Sequence, residues 1–304
     1  MSIASTKALD EYNAFGPWVS EVRTPDDIPP LFAPASIDVT TSTLVLKFPR
    51  PESRRDLVAG MNLYDLLVDV RHDAVVILRR DGDTFATRRI ALDEIAVLSS
   101  GADLLDGRLV LQLTSGETYS APYNGSSSAT VRRLVDTVRG LIPERPARIR
   151  LAADAASTPL TMPLALDELG RDDAFFTNTI NDFALREPRL TLLGAHGRRV
   201  VAPLGGGLRR ALRSLRPMTL HGAVLALTPT ELAVLSRTKW MTREGAPAAS
   251  MVRTVVSLAS ITAVRSRDHE SYEGVTVITI VSVGSELELF LPTGSDAERA
   301  LPRV

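Results

Sequence analysis

The sequence predicts a mainly β protein with capping helices, arranged as two tandem copies of one small domain. Three observations predict it. Hydrophobic runs show the spacing of strands, those runs recur in the same order in both halves, and a helical pattern closes the first set.

The first matched pair is a strand, a polar turn and a second strand. Leu67–Arg80 turns at His72-Asp73, and Val224–Arg237 turns at Pro229-Thr230. The second pair sets Ile90–Val97 beside Val256–Ile261, each leading into a loop that ends at Asp106-Gly107 or Glu273-Gly274. The third is a hairpin, Leu109–Glu117 against Val277–Glu286. It has alternating apolar residues, a glycine-containing turn and a return strand expected to stop near Pro122 or Pro292.

After the first set, Val131, Leu134, Val135, Val138 and Leu141 recur on one helical face. Ser126 or Ser127 caps the start, and Gly140 and Pro143 close the end. Asn124-Gly125-Ser126 matches a glycosylation sequon but reads as a turn. The equivalent second helix begins near Ser295-Asp296 and has room for only about two turns. Between the copies, Asp172-Asp173 opens a helix expected to turn Phe175, Phe176, Ile180 and Phe183 inward and to stop at Pro188. This helix can cover what the short final helix leaves bare. The expected organisation is an irregular N-terminal arm over 1–40, a first domain over 41–142, a linker over 143–171, and a helix plus second domain over 172–304.

Each copy, read as seven short strands and a helix, resembles the bacterial pleckstrin-homology-like domains. The resemblance implies two seven-stranded bent barrels, each followed by a C-terminal helix, and a role in oligomerisation or protein binding. This chain departs from the phosphoinositide-binding relatives. Residues 126–141 contain no tryptophan, and Arg71, His72, Arg79 and Arg80 of the first hairpin are accompanied by Asp69 and Asp73.

Composition excludes several classes. The net charge of −1 gives no global basic field for nucleic acid. With no cysteine, disulfides, thiolate nucleophiles and cysteine metal sites are excluded. His72, His196, His221 and His269 show no metal-ligand spacing, so neither metal nor cofactor is expected. The N-terminus lacks the pattern of a secretory signal, and no stretch reads as membrane-spanning. A cytoplasmic protein, or one peripheral to a membrane, is expected.

No catalytic signature stands out. Ser236-x-x-Lys239 falls on a strand, where residues three apart face opposite sides. Asp268-His269-Glu270 reads as a solvated loop, and Trp240 as a half-buried loop residue. The strongest local asymmetry is eight arginines against Glu187 alone between Arg186 and Arg216. Within it, Gly205, Gly206 and Gly207 lead into a helical pattern carrying Arg209, Arg210, Arg213 and Arg216. A glycine loop and a helix start favour an anion, and arginines add charge-assisted bonds. The alternative is a solvated arginine face. Phe15 and Trp18, in Phe15-Gly16-Pro17-Trp18, either plug a partner's groove or anchor the arm on its own domain.

The expected function is a non-enzymatic interaction or scaffold protein, with protein partners or self-association. The alternative is a peripheral binder of anionic lipid or phosphate through residues 205–216.

Overall fold

The computed structural model describes residues 6–52, 54–148, 151, 169, 173–187, 189–205, 217–243 and 250–301. By internal contacts the chain forms two units. Unit 1 is Met1–Ile95, Leu104–Val110 and Tyr119–Pro143; unit 2 is Ala96–Asp103, Leu111–Thr118 and Glu144–Val304. Antiparallel β-structure dominates, with few helices.

Unit 1 is organised on an antiparallel sheet of order β1 (Ser20–Glu21), β2 (Leu44–Pro49), β3 (Tyr64–Val70), β4 (Ala74–Asp81) and β5 (Thr84–Ala91). The β3–β4 turn falls at the expected His72-Asp73. Strands β2 to β4 are apolar on both faces rather than alternating, so each face needs a cover. On one face Val45, Leu67, Val76 and Leu78 pack with Phe15, Val22, Ile28, Phe32 and Ile37. The segment expected to be an irregular arm therefore forms the second layer of unit 1, with helix α1 (Thr6–Ala14) and two short 3-10 turns. Its prolines break regular structure, but the two-sided sheet gives its apolar residues a place to be buried. On the other face Leu46, Val68, Ile77 and Ile90 are buried.

Strands β6 (Ile95–Asp103), β7 (Asp106–Leu113) and β8 (Thr118–Asn124) follow as a meander, and β8 is an edge strand. β8 runs past Pro122 instead of stopping there. Leu113 N donates to Glu117 O, which directs the odd positions of β8 toward β7 and the even ones outward. Pro122 is an outward position, where a missing N–H costs no ladder bond.

Helix α2 (Ser128–Leu141) follows and buries Val131, Leu134, Val135 and Val138. Its N-cap, Ser127, makes no side-chain cap bond. The Ser127 hydroxyl instead accepts from the Val19 amide at 3.0 Å. Gly140 lies inside the helix, and Ile142 ends it in extended conformation, as the residue before Pro143 prefers. Arg133 grips Glu21 with two bonds of 3.0 and 2.7 Å, fastening α2 to β1.

Unit 2 holds β9 (Thr191–His196), β12 (Ala223–Leu227), β13 (Glu231–Ser236) and β15 (Ser250–Ser257), paired in that order, and β6 pairs with β15 over Val97–Asp103. The β12–β13 turn contains Pro229-Thr230 as expected. A small sheet joins β10 (Arg199–Val201), β11 (Met218–Leu220) and β14 (Met241–Arg243), and a meander joins β16 (Ile261–Asp268), β17 (Val275–Ser282) and β18 (Ser285–Pro292).

Alternation along β12 and β13 divides unit 2 into two cores. Leu225, Leu232 and Val234 pack with residues of β16 to β18 and with Ala297 and Leu301. Val224, Ala226, Ala233 and Leu235 pack with Phe176, Ile180 and Phe183. Helix α3 (Ala174–Arg186) thus covers the opposite sheet face from the final helix, α4 (Asp296–Arg299), and does not complete it. Phe176, Ile180 and Phe183 are buried as expected, but Phe175 is 48% exposed because it falls outside that stripe. Pro188 lies outside the described residues. Helix α4 sits against Gly194, where a Cβ would come within 2.6 Å of the Ala297 Cα.

Candidate functional site

Unit 1 carries a concave cleft. It measures about 560 Å³ and lies between Pro49–Glu52, which follow from β2, Leu105–Arg108 at the start of β7, and Pro122–Asn124 at the end of β8. A smaller cavity of about 190 Å³ is lined by Arg79 and Arg80 of β4 and by Asp65 and Ser120. Pro49 and Pro122 line both, so the two cavities are neighbours.

Local sequence places each wall. Glycine at position 107 lets the Tyr123 ring lie directly over the backbone; a Cβ there would be 2.2 Å from the ring. Burial pushes the Tyr123 hydroxyl above its usual pKa, with a hydrogen bond to Ser128 opposing that shift. The β6–β7 turn is tight, with Leu104 at φ +54°, and its Leu105 carbonyl accepts from Gly125 N at 2.7 Å. Gly125 is needed there, since a Cβ would come within 1.8 Å of the Leu104 carbonyl oxygen.

The arginines of the cleft fall into two kinds. Arg80 Nε donates to Asp65 at 2.6 Å, and Arg50 pairs with Glu52. Arg79 and Arg108 converge on Ser120 instead. Arg79 Nη2 donates to the Ser120 carbonyl at 2.9 Å, and Arg108 Nη1 to its hydroxyl at 3.1 Å. Among the described residues, neither has a carboxylate in ion-pair reach.

Of the exposed apolar side chains nearby, Leu105 lines the cleft, and Leu104 and Trp18 each adjoin a lining residue in sequence. Leu104 and Leu105 are 67% and 66% exposed, and Trp18, next to the cleft-lining Pro17, is 56% exposed. The Trp18 ring lies against Gly16, where a Cβ would be 2.2 Å away, so it is held by the backbone. The turn Gly125–Ser127 links these two places, bonding to Leu105 on one side and Val19 on the other.

No family model, curated protein or solved structure matches this chain.

Of the residues singled out in the sequence, Phe15 and Trp18 are described and differ. Phe15 is buried in unit 1, edge-on to Tyr64 at 5.7 Å between ring centroids, and is not available to a partner. Trp18 is available. Gly205 has φ +110°, a conformation suited to glycine. Gly206, Gly207, Arg209, Arg210, Arg213 and Arg216 lie outside the described residues. In the first hairpin, Arg71 bonds Asp69 at 2.7 Å and Arg89 pairs with Asp73, so those charges are locally balanced. Ser236 is buried, with its hydroxyl donating to the Arg237 carbonyl. Trp240 is half-buried against Phe290, and His269 packs against Tyr272.

Unit 2 contains a buried ion pair. Arg237 bonds Asp173, donates to the Ser250 carbonyl at 2.7 Å, and lies over the Phe176 ring at 5.0 Å. Two buried histidines are also there. Burial lowers the His196 pKa to about 4, and lowers that of His221, which bonds Thr242 at 2.7 Å. Among the described residues no cluster of three metal-binding side chains occurs, and no helix is long and apolar enough to cross a membrane.

Sequence reading missed the Arg79–Arg108 convergence and the Arg237–Asp173 pair, because both join residues far apart in the chain. One signal was available: Leu104-Leu105 lies between Asp103 and Asp106 at a hairpin tip, where an apolar pair has no core to enter.

Proposed function

We propose that this chain is a non-enzymatic interaction protein built from two pleckstrin-homology-like domains, and that the unit 1 cleft is where a protein partner docks. The domain reading is supported by the order of elements. Unit 1 carries the four strands β2 to β5, and the meander β6 to β8 and helix α2 follow; in unit 2 the set β9, β12, β13 and β15 is followed by the meander β16 to β18 and helix α4. The docking reading is carried by one observation: three large apolar side chains, Trp18, Leu104 and Leu105, stand exposed beside a concave, arginine-bearing cleft.

A tryptophan and leucines around a desolvatable pocket are the composition of an interface anchor. The Trp18 ring, fixed on Gly16, loses little rotamer freedom on binding. The lining's guanidinium groups present forked donors suited to recognising a carboxylate.

The test is capture of partners by the full chain under native conditions, identified by mass spectrometry. It is run beside a Trp18→Ser, Leu104→Ser, Leu105→Ser variant whose thermal unfolding matches the parent. A partner retained by the parent and lost by the variant is expected. Equal retention by both would overturn the reading. Light scattering of the same two proteins checks self-association through these three side chains.

A further inference from the structure

We infer that Arg79 and Arg108 form a carboxylate-binding site, and that the segment docking in the cleft is an extended peptide bearing an internal Asp or Glu beside an apolar residue. This rests on the docking reading above and gives it a chemistry. Arg79 lines the smaller cavity and Arg108 the larger, and both reach Ser120. The pair therefore has one member in each of the two neighbouring cavities. Arg50 and Arg80 are neutralised by Glu52 and Asp65, leaving Arg79 and Arg108 against Asp106 alone in the lining. A carboxylate placed there receives charge-assisted bonds from two guanidinium groups already held in position.

Three features select the occupant. The two cavities are of a size that fits a few residues of extended chain, and their walls, not the apolar hairpin tip, carry the two arginines. Because each arginine lines a different one of two neighbouring cavities, the acidic group belongs inside a peptide and not at its end. Exposed Trp18 and Leu105 offer a contact for the neighbouring side chain. Strand addition to β8 is disfavoured, because Arg79 occupies the Ser120 carbonyl and Pro122 has no N–H at an outward position.

The experiment uses the full chain and a displayed library of random heptapeptides, with the strongest binders resynthesised and measured by fluorescence anisotropy. Selected peptides are expected to share an Asp or Glu flanked by an apolar residue. Replacing that residue by Asn or Gln, or using Arg79→Gln with Arg108→Gln in the protein, weakens binding at least tenfold. Combining both changes costs little more than either alone. An Arg79→Lys, Arg108→Lys variant keeps the charge and guards against a folding defect; it binds between parent and Gln variant. Failure to select any peptide, selection of peptides without an acid, or equal affinity for the Gln variant overturns the inference. So does loss of binding on C-terminal amidation alone, which would place the carboxylate at a chain end. If a partner is still lost with the Trp18, Leu104 and Leu105 changes, the docking reading survives that failure. Arginine-dependent sedimentation with phosphatidylserine vesicles, with no peptide selected, overturns both.

Discussion

Replacing Arg237 by Met is expected to destabilise unit 2 severely. The guanidinium is 5% exposed and its partner, the Asp173 carboxylate, 6%. Among the described residues Asp173 Oδ2 has no hydrogen-bond partner, and the carboxylate is compensated through Oδ1 by Arg237. Methionine fills much of the arginine stem but leaves a buried carboxylate alone, a loss of about 3–5 kcal/mol. It also frees the Ser250 carbonyl and removes the cation from the Phe176 ring. For a unit of this size that corresponds to a fall in melting temperature of about 6–20 °C. Urea unfolding in a Trp18→Phe background isolates the signal of Trp240, which lies in unit 2 against Phe290. The partner change separates charge from packing. Arg237→Met combined with Asp173→Leu removes both charges together and is expected to recover most of the loss, since an apolar replacement of a buried pair is often neutral. A single variant within about 1 kcal/mol of the parent, or a double variant no more stable than the single, refutes the reasoning.

Stability should also fall with pH because of His196. Burial keeps it neutral in the folded state down to about pH 4, whereas an unfolded histidine protonates near its ordinary value of 6.5. Unfolding therefore takes up a proton between those values, and stability falls as pH drops through that window, by about 3 kcal/mol in total. Denaturant titrations from pH 7 to 4 should show that slope, and His196→Leu should remove its share; an unchanged slope contradicts the assignment. Separately, Gly284 and Gly274 both have positive φ, but only at Gly284 would a Cβ strike backbone, 2.6 Å from Gly116 N and Thr114 O. Gly274→Ala is expected to cost about 1–2 kcal/mol in strain and Gly284→Ala clearly more, measured by thermal melts; equal costs would contradict the contact.

How much of this was legible depended on the range of the interaction. The β3–β4 and β12–β13 hairpins could be read because apolar runs and turn residues lie within a few positions of each other. Helix α2 could be read because Val131, Leu134, Val135 and Val138 share a stripe set by helical period. The layer formed by Phe15, Val22, Ile28 and Phe32 could not, since its spacing follows the sheet it covers and no period of its own. Phe175 and Phe176 look alike in sequence; one helical step puts the second in the core and the first in solvent. In the cleft, Arg79, Arg108 and Ser120 come from three strands, and only the tertiary fold makes them neighbours.

The way this chain uses arginine is itself an argument about the cleft. Several guanidinium groups built into the fold meet a carboxylate of their own chain: Asp173 for Arg237, Glu21 for Arg133, Asp69 for Arg71, Asp65 for Arg80. An exposed arginine without a partner is ordinary, because water solvates it well. Arg79 and Arg108 are not simply solvated. Each is fixed by a hydrogen bond to the same serine, on the wall of a concavity, with large apolar groups at its border. Fixing two like charges on one serine works against folding, however weakly, and among the described residues no carboxylate in ion-pair reach offsets it. A carboxylate arriving from another chain does offset it, and does so at the point where exposed tryptophan and leucine can be covered in the same event.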